Sequence, residues 1–521
     1  MREMVMQRVE LWDTLLQKVR DGLMIRTYSK AIQPGEAFIA LPGSRTDGTA
    51  FIAEAMTRKA GYVIAPEGYL HGAASETLKG TTILEHPDPR RALGELAAAH
   101  HGTDRACPVL VGVTGTNGKT TVVYLTAHLL RSAGLRVGTI GTIGAQWPGG
   151  ECDLGMTTPD CWRLHGILAR MRGAGVTHVC MEVSSHALDQ QRTAGLHFEV
   201  AVLTNVTQDH LDYHQDMESY FQTKALLFAS GAPGALGSKH RVVNMDDDHG
   251  RRLFSRWGGL GYGLVQGLDH VPNRTRPDVD GELAEHLHGE ILACDRSGLY
   301  LGMSWKSAAW SLRSSLVGRH NAFNLLAAQG AGLRLGVEPE RMAALESFSG
   351  VPGRLERVTN QQGLNIFVDY AHTPDALENV ADALRKAGFS RLIIVFGCGG
   401  NRDKTKRPLM GQAVGRHADV AVLTSDNPRH EDPKAILGDV LPGLAACPRV
   451  VTEVDRRLAI QLALDMLRPG DALLVAGKGH ESTQQIGDEK QPFHDPTVIR
   501  RIIGEIDTES AQSGGEAVSC A

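Results

Sequence analysis

The chain of 521 residues contains no apolar run approaching the roughly 18 residues that a membrane-crossing helix needs. Its 8 cysteines form no C-x-x-C pair and no short His/Cys cluster. That excludes a zinc site or a disulfide framework as the organising device and points to reduced thiols. A strong charge of either sign is also missing. Lys plus Arg number 54 against 59 Asp plus Glu, and the net charge is −5. The basic residues are scattered, with no arginine-rich tail, so there is no electrostatic case for nucleic acid or an anionic membrane. The opening stretch MREMVMQRVELWDTLLQKVR carries charges throughout and lacks the apolar centre of a signal peptide. A cytoplasmic location is expected. No internal repeat is visible.

One more absence is local. VTGTNGKTT (113–121) looks like a phosphate-binding loop, but the common G-x-x-x-x-G-K-[ST] pattern needs glycine at 113, and Val113 stands there. What remains is a shorter G-x-x-G-K-T-T beginning at Gly115. The residues that precede it, VLVGVTG, read as a continuous, buried, parallel-type strand. Those that follow read as an amphipathic helix with Val122, Val123, Leu125, Leu129 and Leu130 on one face and Gly134 as its stop. Backbone N–H groups at such a strand–helix junction favour anions. Lys119 is expected to reach the β and γ phosphates and Thr120 to ligate Mg²⁺. The plainer alternative is a glycine turn before a helix.

A chain this long predicts roughly two to four domains. Strand signals AFIAL and GYVIA mark a small α/β domain over 1–103, closed by a helix and polar linker. Further apolar strands at 177–183 and 200–205 predict an α/β domain with a doubly wound parallel sheet over 104–348. Residues 230–317 show no assignable pattern. A third α/β block, 349–521, has strand candidates at 365–370, 391–397, 419–426 and 471–477. Each ends in a polar or glycine-rich loop, where open α/β sheets bind ligands. The tail DTESAQSGGEAVSCA reads as disordered.

Glu182, in MEVSSHALDQQR, and His210, in TNVTQDHLDYHQDMESYFQTKALLF, both follow predicted strands. Adjacent strands would aim them at the same phosphates. The alternative is a polar, hydrogen-bonded loop. TTPD (157–160) offers two hydroxyls, suited to a carboxylate or an amide; its plainer reading is a helix N-cap with proline at N1.

Together and in this order, GTNGKTT, EVSSH, TNVTQDHLDYH, GRHNAFNLLAA, PGRLE, VDYAHTPDALE, FGCGGNRDKTKRP, DNPR and AGKGHE resemble the ATP-dependent Mur ligases of peptidoglycan synthesis. Within that family the chain is most similar to the MurE branch, which adds the third amino acid to UDP-N-acetylmuramoyl-L-alanyl-D-glutamate. The resemblance runs from about Tyr28 to Arg500. It implies a UDP-binding domain, a central ATPase and a C-terminal Rossmann-like domain. It implies ATP on Gly115, Thr116, Asn117, Gly118, Lys119, Thr120, Thr121, Asn321, Arg354, Asp369 and His372. Two Mg²⁺ ions are expected on Thr120, Glu182, His210 and Lys224, the last carbamoylated by CO₂. Lys119, Lys224, His210 and Arg354 would be the catalytic set. Ser29, Thr157, Thr158, Ser184, Gln190 and Arg192 match positions for the muramoyl dipeptide, although Tyr28-Ser29-Lys30 departs from the family's usual D-S-R. Arg402, Asp426, Asn427, Pro428, Arg429, Gly477 and Glu481 match the amino-acid site. DNPR with arginine resembles the meso-diaminopimelate-adding members, because a guanidinium can fork onto a distal carboxylate. Lysine or ornithine as acceptor, or a folylpolyglutamate synthetase-like reaction, are the alternatives. The partners implied are these small molecules, and a monomer is expected.

Overall fold

A computed structural model describes residues 2–43, 46–70, 75–78, 80–229, 237–265 and 285–504. For residues 2–8, 75, 76 and 212 only the backbone is described. The tail read as disordered, and Ser44 and Arg45, lie outside these residues.

Among the described residues, three large sheets follow one another along the chain. The first has five strands in the order Ile25–Arg26, Ala37–Ile39, Tyr62–Pro66, Thr81–His86, Ser75–Leu78, all parallel except the last pair. The helix Pro89–His101 closes it; Asp88 caps that helix by accepting from Arg90 N and Arg91 N.

The second sheet has 11 strands. Its parallel part runs Val137–Gly141, His178–Glu182, Val109–Thr114, Phe198–Leu203, Ser238–Asn244, Leu260–Leu264, Glu285–Asp295. The expected doubly wound parallel sheet is therefore present, but both edges are antiparallel. Gly144–Trp147 and Gly150–Cys152 extend one side, and Gly298–Trp305 and Ala308–Ser314 the other. Antiparallel ribbons at the rim need only tight turns, whereas each parallel step needs a crossover. The second ribbon accounts for most of 285–314, where the sequence showed no pattern.

The phosphate-loop helix, Lys119–Ser132, begins after Gly118 at φ 85° and ends before Gly134 at φ 88°. Both are left-handed positions that favour glycine. Val122, Leu125 and Leu129 are completely buried, each worth about 1.5–3 kcal/mol. They fix the helix to its sheet and so fix the loop at its N-terminus.

The third sheet runs Glu356–Arg357, Asn365–Asp369, Ala472–Ala476, Leu392–Phe396, Val420–Leu423, Val450–Thr452, parallel apart from the first pair. A hairpin, Thr483–Ile486 with Glu489–Pro492, stands beside it. Among the described residues no helix is long and apolar enough to cross a membrane. Cys107, Cys161, Cys180, Cys294, Cys398 and Cys447 are free.

Candidate functional site

The loop 115–118 is clamped to the end of the neighbouring strand. Thr116 N donates to Asn205 O (2.8 Å), Asn117 N to Asn205 Oδ1 (2.9 Å), and Thr204 Oγ1 to Asn117 O (2.6 Å). Gly115, at φ 146°, lies so close that a side chain there would collide with Thr204 Oγ1. Asn324, in the helix Arg319–Arg334, faces Gly118 from the other side. Asn321 lies one turn before it, with its amide nitrogen on Val317 O (2.8 Å) and its oxygen accepting from Asn324 (2.9 Å).

Two lysine amines meet at one carbonyl. Lys119 Nζ donates to Gly115 O at 2.9 Å and Lys224 Nζ to the same oxygen at 3.0 Å. Lys224 is 1% exposed and lies 4.3 Å from the centre of the Tyr220 ring. Burial, and then the nearby Lys119 charge, hold the Lys224 amine well below the ordinary lysine range. Burial lowers Lys119 too, with Glu182 and Asp209 opposing and Arg354 adding to the effect. Glu182, Asp209 and Arg354 therefore lie near enough for their charges to be felt at Lys119. Tyr220 also reaches Thr116 Oγ1 (3.3 Å) and packs edge-on against His210.

Glu182 is 1% exposed at the end of its strand. Its oxygens accept from Thr142 N (2.8 Å) and Thr142 Oγ1 (3.2 Å). His210 is half-exposed at φ 53°, with Nε2 3.4 Å from Asp209 and its ring against His186. Among the described residues no three His, Cys, Asp or Glu side chains form a ready metal cage. The donor set here is a carboxylate, the Thr120 hydroxyl and one imidazole. It fits Mg²⁺, which prefers oxygen and takes few protein ligands. Lys224 as a cation would oppose such an ion; its buried amine beside Lys119 fits a carbamate, whose charge has the opposite sign.

TTPD sits against the Glu182 backbone and Thr142. Thr158 is buried and donates to Glu182 O (2.9 Å), and Thr157 Oγ1 lies 3.2 Å from Thr142 Oγ1. The helix cap is Asp160, which accepts from Arg163 N, and Pro159 precedes that cap instead of following it. The N-cap reading placed the cap too early, because Asp160 outcompetes the threonines, which are used elsewhere. Ser184 caps the next short helix through Ala187 N. Arg192 donates to Thr158 O (2.9 Å) and to Gln190 Oε1 (2.8 Å). Thr157, Thr158, Ser184, Gln190 and Arg192 thus form one connected wall. Ser29 lies in the first domain, where its buried hydroxyl donates to Glu54 (2.6 Å).

The third sheet contributes two further groups. Arg354 stacks on Tyr370 (5.1 Å) with a buried Nε that has no partner, and His372 packs on the same tyrosine. Asp369 accepts from Leu355 N (2.5 Å) and Ala371 N (2.7 Å), bracing the loop that carries Arg354; burial raises its pKa and Arg354 opposes that rise. Tyr370 N donates to Gly353 O (2.8 Å), and Gly353 and Gly479 touch backbone to backbone with no room for a side chain on either.

The other group surrounds Asp426. Burial pushes the Asp426 carboxyl up against the pull of Arg456 and Lys478, and its Oδ2 is buried without a partner beside Gly477. Asn427 donates to Glu481 (2.9 Å); Lys478, fully buried, donates to both Asn427 (3.1 Å) and Glu481 (2.9 Å). Burial alone would raise Glu481, but Lys478 and Asn427 outweigh it and hold it below the usual carboxylate range. Arg429, after Pro428 and at φ 52°, donates to Gly400 O (2.7 Å), and Arg402 flanks the same glycine loop. Arg456 is bonded at 2.8 and 2.7 Å to Asp495, with both side chains completely buried. It also donates to Ala476 O (2.9 Å), holding a strand end next to Asp426.

Thr142, Asn205, Tyr220, Lys478 and Arg456 hold these groups in place, yet none was singled out from sequence. Tyr220, Asn205 and Lys478 stand inside the quoted motifs. Thr142 and Arg456 carry no spacing signal.

A family model for the Mur ligase middle domain matches residues 113–332, and one for the Mur ligase, glutamate ligase domain matches 353–479. A protein of Lawsonia intracellularis named UDP-N-acetylmuramoyl-L-alanyl-D-glutamate--2,6-diaminopimelate ligase is 49% identical, covering 92% of this chain and 96% of that protein. One of the same name from Synechococcus elongatus is 42% identical over 92% and 94%. A solved structure of a ligase of that name superposes with a TM-score of 0.63 at 31% identity, covering 92% of this chain and 94% of that one. MurF from Acinetobacter baumannii, at 18% identity and TM-score 0.54, shares the fold. The short phosphate loop, the two matching family models and a relative matched along almost its whole length agree: the chain belongs to the Mur ligase family.

Proposed function

We propose that this chain is an ATP-dependent amide ligase that joins meso-diaminopimelate to UDP-N-acetylmuramoyl-L-alanyl-D-glutamate through an acyl phosphate. The observation that carries the reading is the convergence of two lysine amines, half-buried Lys119 and fully buried Lys224, on Gly115 O, with the Glu182 charge felt at Lys119. The names of the full-length relatives support the substrate pair.

The three parts, 1–103, 104–348 and 349–521, would take the nucleotide-sugar, ATP and the amino acid respectively. ATP phosphates would lie on Gly115, Thr116, Asn117, Gly118, Lys119, Thr120 and Thr121, with Arg354 and His372 also reaching phosphate, Asn321 toward adenine and Asp369 toward the ribose. Magnesium would supply positive charge at the phosphate oxygens and would be held by Thr120, Glu182, His210 and a carbamate on Lys224. The wall of Thr157, Thr158, Ser184, Gln190 and Arg192 would orient the peptide. Its D-glutamyl γ-carboxylate oxygen then attacks the γ-phosphorus and ADP leaves. Lys119 and Arg354 stabilise charge on the moving phosphoryl group. The diaminopimelate amine, held near Asp426 and Glu481 with its distal carboxylate on Arg429 and Arg402, attacks the acyl carbon. The tetrahedral intermediate loses phosphate, a proton leaves the nitrogen, and the amide remains. Water must be excluded while the acyl phosphate exists, which is the task of the C-terminal domain.

The test is phosphate release with the muramoyl dipeptide and ATP plus diaminopimelate, lysine or ornithine in separate reactions. Release and a ligated product with diaminopimelate alone are expected. Turnover with lysine but not diaminopimelate would overturn the acceptor assignment. ATP cleavage without either organic substrate, and no product with both, would overturn the ligase reading.

A further inference from the structure

We infer that Thr142 sets the hydrogen-bond polarity of the muramoyl-dipeptide wall, making Thr157 an acceptor for a peptide N–H of the substrate. The inference rests on the proposed substrate class. A carboxylate only accepts hydrogen bonds, so the Thr142 hydroxyl commits its single hydrogen to Glu182 Oε2 at 3.2 Å, while the Thr142 amide holds Oε1 at 2.8 Å. Gly141, just before it, leaves the carboxylate room to sit there: a side chain at that position would collide with Oε1. The 3.2 Å contact between the Thr142 and Thr157 hydroxyls then has one possible direction, with Thr157 donating. Thr157 keeps only lone pairs for a ligand.

Its neighbour Thr158 is completely buried and bonded within the protein. Thr158 Oγ1 donates to Glu182 O at 2.9 Å and accepts from Ser184 N at 3.2 Å. From sequence, the two threonines suit a carboxylate or an amide equally. The geometry removes the carboxylate for Thr157, since a carboxylate needs a donor. Thr142 is a positioning residue: it orders Thr157 on one side and fixes the plane of Glu182 on the other.

The test is calorimetric binding of UDP-N-acetylmuramoyl-L-alanyl-D-glutamate to the full chain without ATP or divalent metal. Thr157→Val should weaken binding about ten-fold, the scale of one buried hydrogen bond. Thr142→Val should weaken it several-fold, Thr142→Ser should restore wild-type affinity, and the Thr142→Val/Thr157→Val double variant should bind like Thr157→Val alone. Of two ligand analogues, each with one amide replaced by an ester, one should bind wild type and Thr157→Val alike. Thermal melts identify any variant that has simply lost its fold, and the ester analogues on wild type then decide the matter. Full affinity in Thr142→Val, or undiminished binding of both esters to wild type, overturns the inference and leaves the ligase reading standing. No binding of the parent ligand to wild type removes the substrate reading and this inference with it.

Discussion

Lys224 owes its proposed chemistry to where its amine is buried. A lysine with one carbonyl acceptor, an aromatic floor and a second cation nearby is held toward its neutral form, the form that captures CO₂. Lys224→Ala should lower ligation at least about 100-fold, the usual effect of removing a preorganised charge. Added short-chain carboxylates should recover part of it. Normal ADP release in that variant would end the metal-bridging role. Arg429→Lys should raise the KM for diaminopimelate on the order of ten-fold while leaving that for ATP unchanged, because a single ammonium cannot replace a fork. An equal rise in both would mean that Arg429 only shapes its loop. Glu182 and Lys224 are legible in the sequence because each stands in a dense local motif at the end of a strand or on a helix. Thr142 is not. Its meeting with Glu182 depends on Val137–Gly141 pairing in register with His178–Glu182, a contact across forty residues of sequence distance that no local spacing encodes.

The strand ends of the third sheet are held by a completely buried ion pair, Arg456 with Asp495, which ties two helices to Ala476 and Ser425. Removing one partner strands a charge in the interior. Asp495→Asn should therefore cost about 3–5 kcal/mol in urea unfolding, and a double change to Met and Leu of similar volume should cost less than either single change. Comparable losses for single and double variants would show that the hydrogen bonds, and not the charges, carry the pair. Neither residue is readable beforehand, since a buried arginine looks like a surface one until its partner, 39 positions away, arrives. The same limit explains the edge ribbon Glu285–Asp295, Gly298–Trp305 and Ala308–Ser314. Its strands mix buried and exposed positions and lack the continuous apolar run that made Val109–Thr114 plain.

How the parts are joined is also physical. The first domain meets the second where Gly94 and Ala194 approach backbone to backbone, with His165 alongside. His165 Nδ1 meets the Thr103 hydroxyl at 2.5 Å and Nε2 meets Ala194 O at 2.9 Å. Burial pushes its pKa from an ordinary 6.5 down to about 4. Between those values the unfolded chain binds a proton that the folded chain refuses, so stability is full above pH 6.5 and falls as pH drops toward 4. Melting temperatures at pH 7.5 and 5 should show that fall, and His165→Gln, neutral throughout, should lose a few °C less. Equal losses would place the acid sensitivity elsewhere.

Gly353 and Gly479 are pressed together with no space between their backbones, and Tyr370 seals the contact. The loop bearing Arg354 and the loop bearing Glu481 are thus packed directly against each other. If a swing of the C-terminal domain delivered the guanidinium to the phosphates, as the proposed mechanism requires, it would deliver the amine cradle in the same stroke. On the proposed mechanism, activation of the acid and arrival of its nucleophile would be synchronised by two missing side chains, and enlarging either glycine should desynchronise them, letting the activated acid leak to water.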